Sequence, residues 1–163
     1  MYNEGTLHGM WLILPCTDEE LKSAFDEIGI NEEYEEYFIT DYENSLGLKI
    51  GEYESLSILN EVATCIKSLN EQDLQTLAAV IEAEHMNTSD IIDLVDNLGK
   101  YTLNTNIKTY HDLGHYYIHD SGDFNVYTIE TLSLYLDYKS CGYDYARNSD
   151  GALTSFGWLE CCM

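Results

Sequence analysis

Residues 55–100 read SLSILNEVATCIKSLNEQDLQTLAAVIEAEHMNTSDIIDLVDNLGK, and their period is helical from end to end. Leu56, Leu59, Val62, Ala63 and Ile66 recur at three- and four-residue steps and form one stripe. Asn70 caps a second helix bearing Leu74, Leu77, Ala78 and Ile81, and Ser89 or Thr88 caps a third bearing Ile91, Ile92, Leu94, Val95 and Leu98 before Gly99. Helices this short need each other's apolar faces, so the segment predicts a small bundle. The residues on either side are of mixed period. The fold class is therefore α+β, with a mixed β/α N-terminal domain over 1–55, a central helical domain over 56–100 and a mixed α/β C-terminal domain over 101–163.

Upstream, the apolar run from Leu7 to Pro15 predicts a buried strand stopped by the only proline of the chain. A helix follows, with Thr17 and Glu20 as a capping box, Leu21, Ala24, Phe25 and Ile28 at helical spacing, and Gly29 as its end. Glu36 to Tyr42 alternates as a strand would, and Gly47 and Gly51 punctuate a turn region. Downstream, Tyr101 to Thr105 predicts a strand, Tyr110 to Asp120 a helix, and Val126 to Tyr138 another helix broken at Gly142. Ala152 to Met163 predicts a hairpin turning near Gly157.

The charge is the outlying property. Thirty acidic residues against seven basic ones give a net −23 over 163 residues, in a chain that also carries fourteen tyrosines. Disordered acidic tails are poor in aromatics, so this is the composition of a folded acidic protein. The three pieces carry −12, −6 and −5, which excludes a single acidic tail. The densest run, Asn31 to Glu43, sets Glu32, Glu33, Glu35, Glu36, Asp41 and Glu43 among aromatics with no basic residue between them. Nucleic acid and anionic membranes would repel such a surface, and a partner with a large positive surface complements it. Five cysteines with no Cys-x-x-Cys pair suit a reducing compartment, and no apolar stretch approaches ~20 residues. These features predict a soluble cytoplasmic protein.

Chemistry-bearing constellations are few. His111 and His115 stand four apart on a predicted helix, with His119 one turn further, the spacing that aims imidazoles at one metal. A zinc hydrolase would place a water-activating glutamate after the first histidine; here Asp112 stands there, and Gly114 weakens the helix. No G-x-S-x-G, phosphate-binding loop or dinucleotide fingerprint is present, and no cofactor is called for. The tyrosines at 116, 117, 135, 138, 143 and 145 predict half-buried packing, with an exposed subset suited to a protein interface.

If charge is the function, its density is telling. Duplex DNA carries about one charge per ~1.7 Å of axis, so this net charge matches roughly 39 Å of duplex, about the diameter of a domain of this length. Such a protein suits the positive groove of a DNA-handling enzyme, with carboxylates where phosphates normally sit.

Tyr2-Asn3-Glu4-Gly5 with Leu7, Gly9, Trp11 and Pro15, then Glu33-Tyr34-Glu35-Glu36-Tyr37 and Ile39-x-Asp41-Tyr42-Glu43, resemble the ArdA family of antirestriction proteins. Ser55-Leu56-x-x-Leu59-Asn60 resembles the same family, and Tyr135-Leu136-Asp137-Tyr138 with Gly142 and Asp144 resembles its antirestriction motif, for which the resemblance implies a dimer contact. The resemblance implies an elongated chain of three small domains that dimerises through the third. It also implies a non-enzymatic DNA mimic that occupies the DNA-binding groove of type I restriction–modification enzymes. The phosphate substitutes would then be Asp18, Glu19, Asp26, Glu27, Glu32, Glu33, Glu35, Glu36, Asp41 and Glu43. Glu61, Glu71, Asp73, Glu82, Asp90, Asp93 and Asp96 would continue the track. Rival readings are the zinc hydrolase, an acidic adaptor for a basic protein, and halophilic adaptation.

Overall fold

The computed structural model describes residues 8–31 and 36–162. Glu32, Glu33, Tyr34 and Glu35, and the Tyr2-Asn3-Glu4-Gly5 motif, lie outside the described residues. Seven α-helices and a three-stranded antiparallel sheet appear among the described residues, an α+β chain as the sequence predicts. Packing groups them into two compact units. The first runs to Leu69 and adds Asn87–Ile92; the second takes Asn70–Met86 and everything from Asp93.

In the first unit, helix α1 (Asp18–Ile28) begins at the anticipated capping box. Thr17 Oγ1 accepts from the Glu20 amide at 3.2 Å, Glu20 accepts back from the Thr17 amide at 2.8 Å, and Gly29 ends the helix in the left-handed region. Helix α2 (Leu56–Lys67) buries Leu59 and Val62 from its predicted stripe. The Asn60 side chain ties α2 to the residue before the α1 cap. It accepts from the Cys16 amide at 2.7 Å and donates to the Cys16 carbonyl at 2.9 Å.

Two strands predicted in this unit are absent from the described residues. Residues 8–15 form no ladder, and Trp11 and Ile13 are 64% and 86% exposed rather than buried. Residues 36–42 are joined to another segment through the Ile39 N–H, which donates to the Glu52 carbonyl at 2.7 Å, and form no ladder among the described residues. Apolar alternation prepares a chain to pair, but a strand exists only where a partner edge supplies a continuous ladder.

In the second unit, α3 (Glu71–Glu84) starts at Asn70, whose Oδ1 accepts from the Asp73 amide at 2.9 Å. Thr76 to Ile81 are all buried, and α3 packs on the sheet, not in a bundle confined to 56–100. Helix α4 (Asp90–Asp96), which enters this unit at Asp93, and a 3₁₀ turn at Leu98–Lys100 lead into β1 (Tyr101–Asn104). Helix α5 (Tyr110–His119) is capped by Thr109. The helix predicted over Val126 to Tyr138 is shorter: α6 (Val126–Leu132) gives way to a 3₁₀ turn at Ser133–Tyr135.

A new helix, α7 (Tyr138–Asn148), then starts, because Asp137 accepts from the Ser140 amide at 3.1 Å and acts as its N-cap. Gly142 thus lies inside a helix instead of breaking one. The predicted hairpin forms as β2 (Gly151–Thr154) and β3 (Gly157–Cys161), and β1 adds to β3, giving the order β1-β3-β2 with Leu103 opposite Leu159 and Asn104 opposite Trp158.

The α5–α7 crossing holds this unit together. A Cβ added to Gly142 would lie 2.6 Å from the Gly114 amide nitrogen, and one added to Gly114 would lie 2.8 Å from the Gly142 nitrogen. Only two glycines let the backbones approach this closely. Gly114, read from sequence as a weakness in its helix, is what admits the neighbour. Beside the crossing, Ile107, Leu113 and Trp158 form a fully buried cluster with Tyr110, Tyr116 and Tyr145 packed around it.

Candidate partner-binding surface

The acidic residues singled out from sequence fall into two structural classes. Asp18, Glu19, Asp26 and Glu27 are exposed on α1, and Glu19 and Asp26 return to one face about 10 Å apart along the axis. Glu36, Asp41 and Glu43 are exposed on the non-helical segment that follows. That segment is anchored by Tyr37, whose ring lies 5.3 Å from Phe25 of α1 and whose hydroxyl accepts from the Leu56 amide at 3.2 Å. Aromatics thus fix the charged stretch to the first unit without strand pairing. Glu61 on α2, Glu71 on α3 and Asp90, Asp93 and Asp96 on α4 are exposed as well.

Other carboxylates are engaged within the fold. Glu82 receives the Ser155 amide at 2.9 Å and the Ser155 hydroxyl, which clamps the β2–β3 turn to α3. Lys108 holds the same turn from another side through the Phe156 carbonyl at 2.8 Å. Asp73 is half-buried and takes a 2.7 Å bond from the Asn70 amide group. Glu20 is held below the usual carboxylate range by the backbone and side-chain hydrogen bonds of Thr17. Asp137 is lowered likewise by the Ser140 hydroxyl and amide. Neither Glu82 nor Asp73 presents a bare carboxylate, a distinction that spacing alone could not make, because Ser155 is 73 residues from Glu82.

Few of these charges are neutralised internally. Among the described residues the one ion pair is His111 with Asp112, at 4.0 Å. No helix there is long and apolar enough to cross a membrane.

The histidines sit at the α5–α7 crossing. His115 and His119 are stacked with centroids 4.2 Å apart, and the rings of His111, His115 and His119 lie 5.5, 5.3 and 5.6 Å from that of Tyr138. The intimate pair is therefore 115/119, not the 111/115 pair that a hydrolase would use. Asp112 is engaged in the capping box of α5. Its carboxylate accepts the Thr109 amide at 2.9 Å and the Lys108 amide at 3.1 Å, and the Thr109 hydroxyl leads the contacts that hold its pKa below the usual carboxylate range. Among the described residues no group of three or more His, Cys, Asp and Glu side chains is placed to hold a metal.

The segment Tyr135 to Asp144 is divided by the fold. Tyr135 is 85% exposed beside Leu134 at 93%, and Tyr127 on α6 is exposed too. Asp137 caps α7, Tyr138 lies against the histidines, Gly142 is buried at the crossing, Leu136 is half-buried and Asp144 is exposed. Tyr116, Tyr117, Tyr138 and Tyr145 are half-buried as their pattern predicts. Tyr145 is pushed up to about 12 by burial and by its hydrogen bond to Glu160.

No curated protein matches the chain. The family model of the antirestriction protein ArdA matches residues 1–160, nearly the full length, so the chain belongs to the ArdA family of antirestriction proteins.

Proposed function

We propose that this antirestriction protein acts as an imitation of duplex DNA, occupying the DNA-binding groove of a type I restriction–modification enzyme and doing no chemistry of its own. The observation that carries the reading is the bare acidic surface: exposed carboxylates on α1, on residues 36–43, on α2 and on α4, with a single ion pair among the described residues. Unneutralised carboxylates project their field outward, where a positive groove gains by exchanging phosphates and counterions for them.

Within this reading Asp18, Glu19, Asp26, Glu27, Glu36, Asp41, Glu43, Glu61, Glu71, Asp90, Asp93 and Asp96 are the partner-facing set, joined by Glu32, Glu33 and Glu35. Glu82 and Asp73 serve chiefly to hold the fold. The protein acts in the cytoplasm, and the three pieces 1–55, 56–100 and 101–163 each contribute carboxylates to the acidic surface. A homodimer forms through the third piece, and exposed Tyr127, Leu134 and Tyr135 suit that contact, since aromatic and apolar side chains dominate interface cores.

The test is competition. The protein should displace duplex DNA from a type I methyltransferase core, and displacement should fade as salt rises from 50 to 300 mM. Displacement indifferent to salt, or binding that leaves the DNA in place, would favour an acidic adaptor instead.

A further inference from the structure

Imitation of DNA calls on carboxylates alone, yet the first unit also presents an apolar surface for which phosphates offer no counterpart. Trp11, Ile13, Phe25, Phe38 and Ile39 line a cavity of about 1700 Å³ in this unit, and Trp11 and Ile13 are exposed. Small-molecule pockets hold roughly 300–1,000 Å³, so the space suits a length of polypeptide better than a metabolite. Residues 8–15 and 36–42 both border it, and neither segment forms a ladder among the described residues. Glu36, Asp41 and Glu43 are exposed at its rim, where Lys67 is the one lysine among the described lining residues and arginine is absent from them.

We propose that this groove docks an extended polypeptide segment of a partner protein, one in which apolar residues alternate with lysine or arginine. Strand addition joins such a segment through main-chain hydrogen bonds, and its side chains fall alternately to two sides. The apolar set covers Trp11 and Ile13 and fills the space beneath them, while the cationic set reaches Glu36, Asp41 and Glu43. Charge selects this occupant over others. Residues 1–55 hold fourteen acidic side chains against two basic ones, so a second copy, a nucleic acid or an anionic membrane would each meet repulsion here. An apolar segment without cations would strip water from the rim carboxylates and leave them unpaired, and a purely cationic one would leave the apolar surface wet. The site goes beyond imitation of DNA, and because its test needs no restriction enzyme, either reading can fail alone.

The experiment is titration of the full chain with a capped synthetic peptide of about eight residues alternating lysine with valine and leucine, followed by tryptophan fluorescence and backbone NMR. The chain has two tryptophans, and Trp158 is buried in the second unit, so a change in emission reports on Trp11. One equivalent should bind, moving the emission to the blue, with amide shifts centred on residues 8–15 and 36–42. Ile13→Ser, at a position exposed enough to spare the fold, should weaken binding about fivefold, and Asp41→Asn with Glu43→Gln by about as much, with circular dichroism unchanged. A peptide alternating lysine with serine should leave the emission in place, and one alternating glutamate with valine should not bind. Equal binding of the lysine–serine peptide, amide shifts centred on the second unit, or sedimentation showing copies paired through Trp11 and Ile13 would overturn the proposal, as would the absence of binding.

Discussion

The two units of this chain solve different problems. In the first, the buried set among the described residues is small: Ala24, Leu48, Leu59, Val62, Thr88 and Ile91. It borders a cavity of about 1700 Å³ lined by residues such as Trp11, Ile13, Phe25, Phe38 and Ile39. In the second, Trp158 and Leu113 are 1% and 0% exposed, and two helices meet backbone to backbone at Gly114 and Gly142. The first unit carries the dense acidic run, and the second carries the close packing. Like charges repel, so a surface built of them is held by local devices such as caps, turn bonds, the Asn60 clasp and the Tyr37 anchor, each worth about 1 kcal/mol. The second unit, with fewer charges to accommodate, relies on burial.

Substitution at the crossing should give the largest contrast. Gly142→Ala drives a methyl into the backbone of α5 and should destabilise the second unit by about 3 kcal/mol or more, read by denaturant unfolding. Gly9→Ala in the first unit, where nothing lies within 4 Å of the added carbon, should stay within about 0.5 kcal/mol. Equal effects would break the comparison.

Next comes charge. Neutralising Asp18, Glu19, Asp26 and Glu27 together should weaken inhibition by about 2 kcal/mol, roughly thirtyfold, while leaving the thermal midpoint unchanged or higher. Neutralising Asp120, Asp123, Asp144 and Asp150, all exposed in the second unit, removes the same formal charge and should cost less inhibition.

A smaller effect is expected from acid. Glu20, Asp112 and Asp137 are held below the usual carboxylate range by their caps. A lowered folded-state value means stability that is fully present above the unfolded value near ~4 and is lost as pH falls through the folded one. The thermal midpoint should therefore decline below about pH 4, and Asp112→Asn should flatten part of that decline.

The smallest effect belongs to any single exposed carboxylate, such as Glu61→Gln, which should change inhibition by about twofold or less, because the binding is spread over many weak contacts. A single neutralisation that abolished inhibition would count against mimicry.

Helices were legible wherever a cap and a period coincide. Thr17 with Glu20, Asn70 with Asp73, and the stripe Leu59–Val62 announce themselves within four residues. The charge needs no fold to be counted, and the motifs through Tyr135–Tyr138 carried the family. Strands at 8–15 and 36–42 were misjudged because pairing depends on a distant edge that alternation does not reveal. The bond from Ser155 to Glu82 was not legible, because the two residues are remote in sequence.

The sequence by itself thus determined the acidic character, the helical middle and the family, all set by composition or by contacts within a turn or two. Only the tertiary structure decided that Gly114 and Gly142 meet and that His115 stacks on His119 beside Tyr138. It also decided which carboxylates hold the fold and which stay bare. Those outcomes join residues many positions apart, and only the closed chain brings such residues within reach of a hydrogen bond or a van der Waals contact.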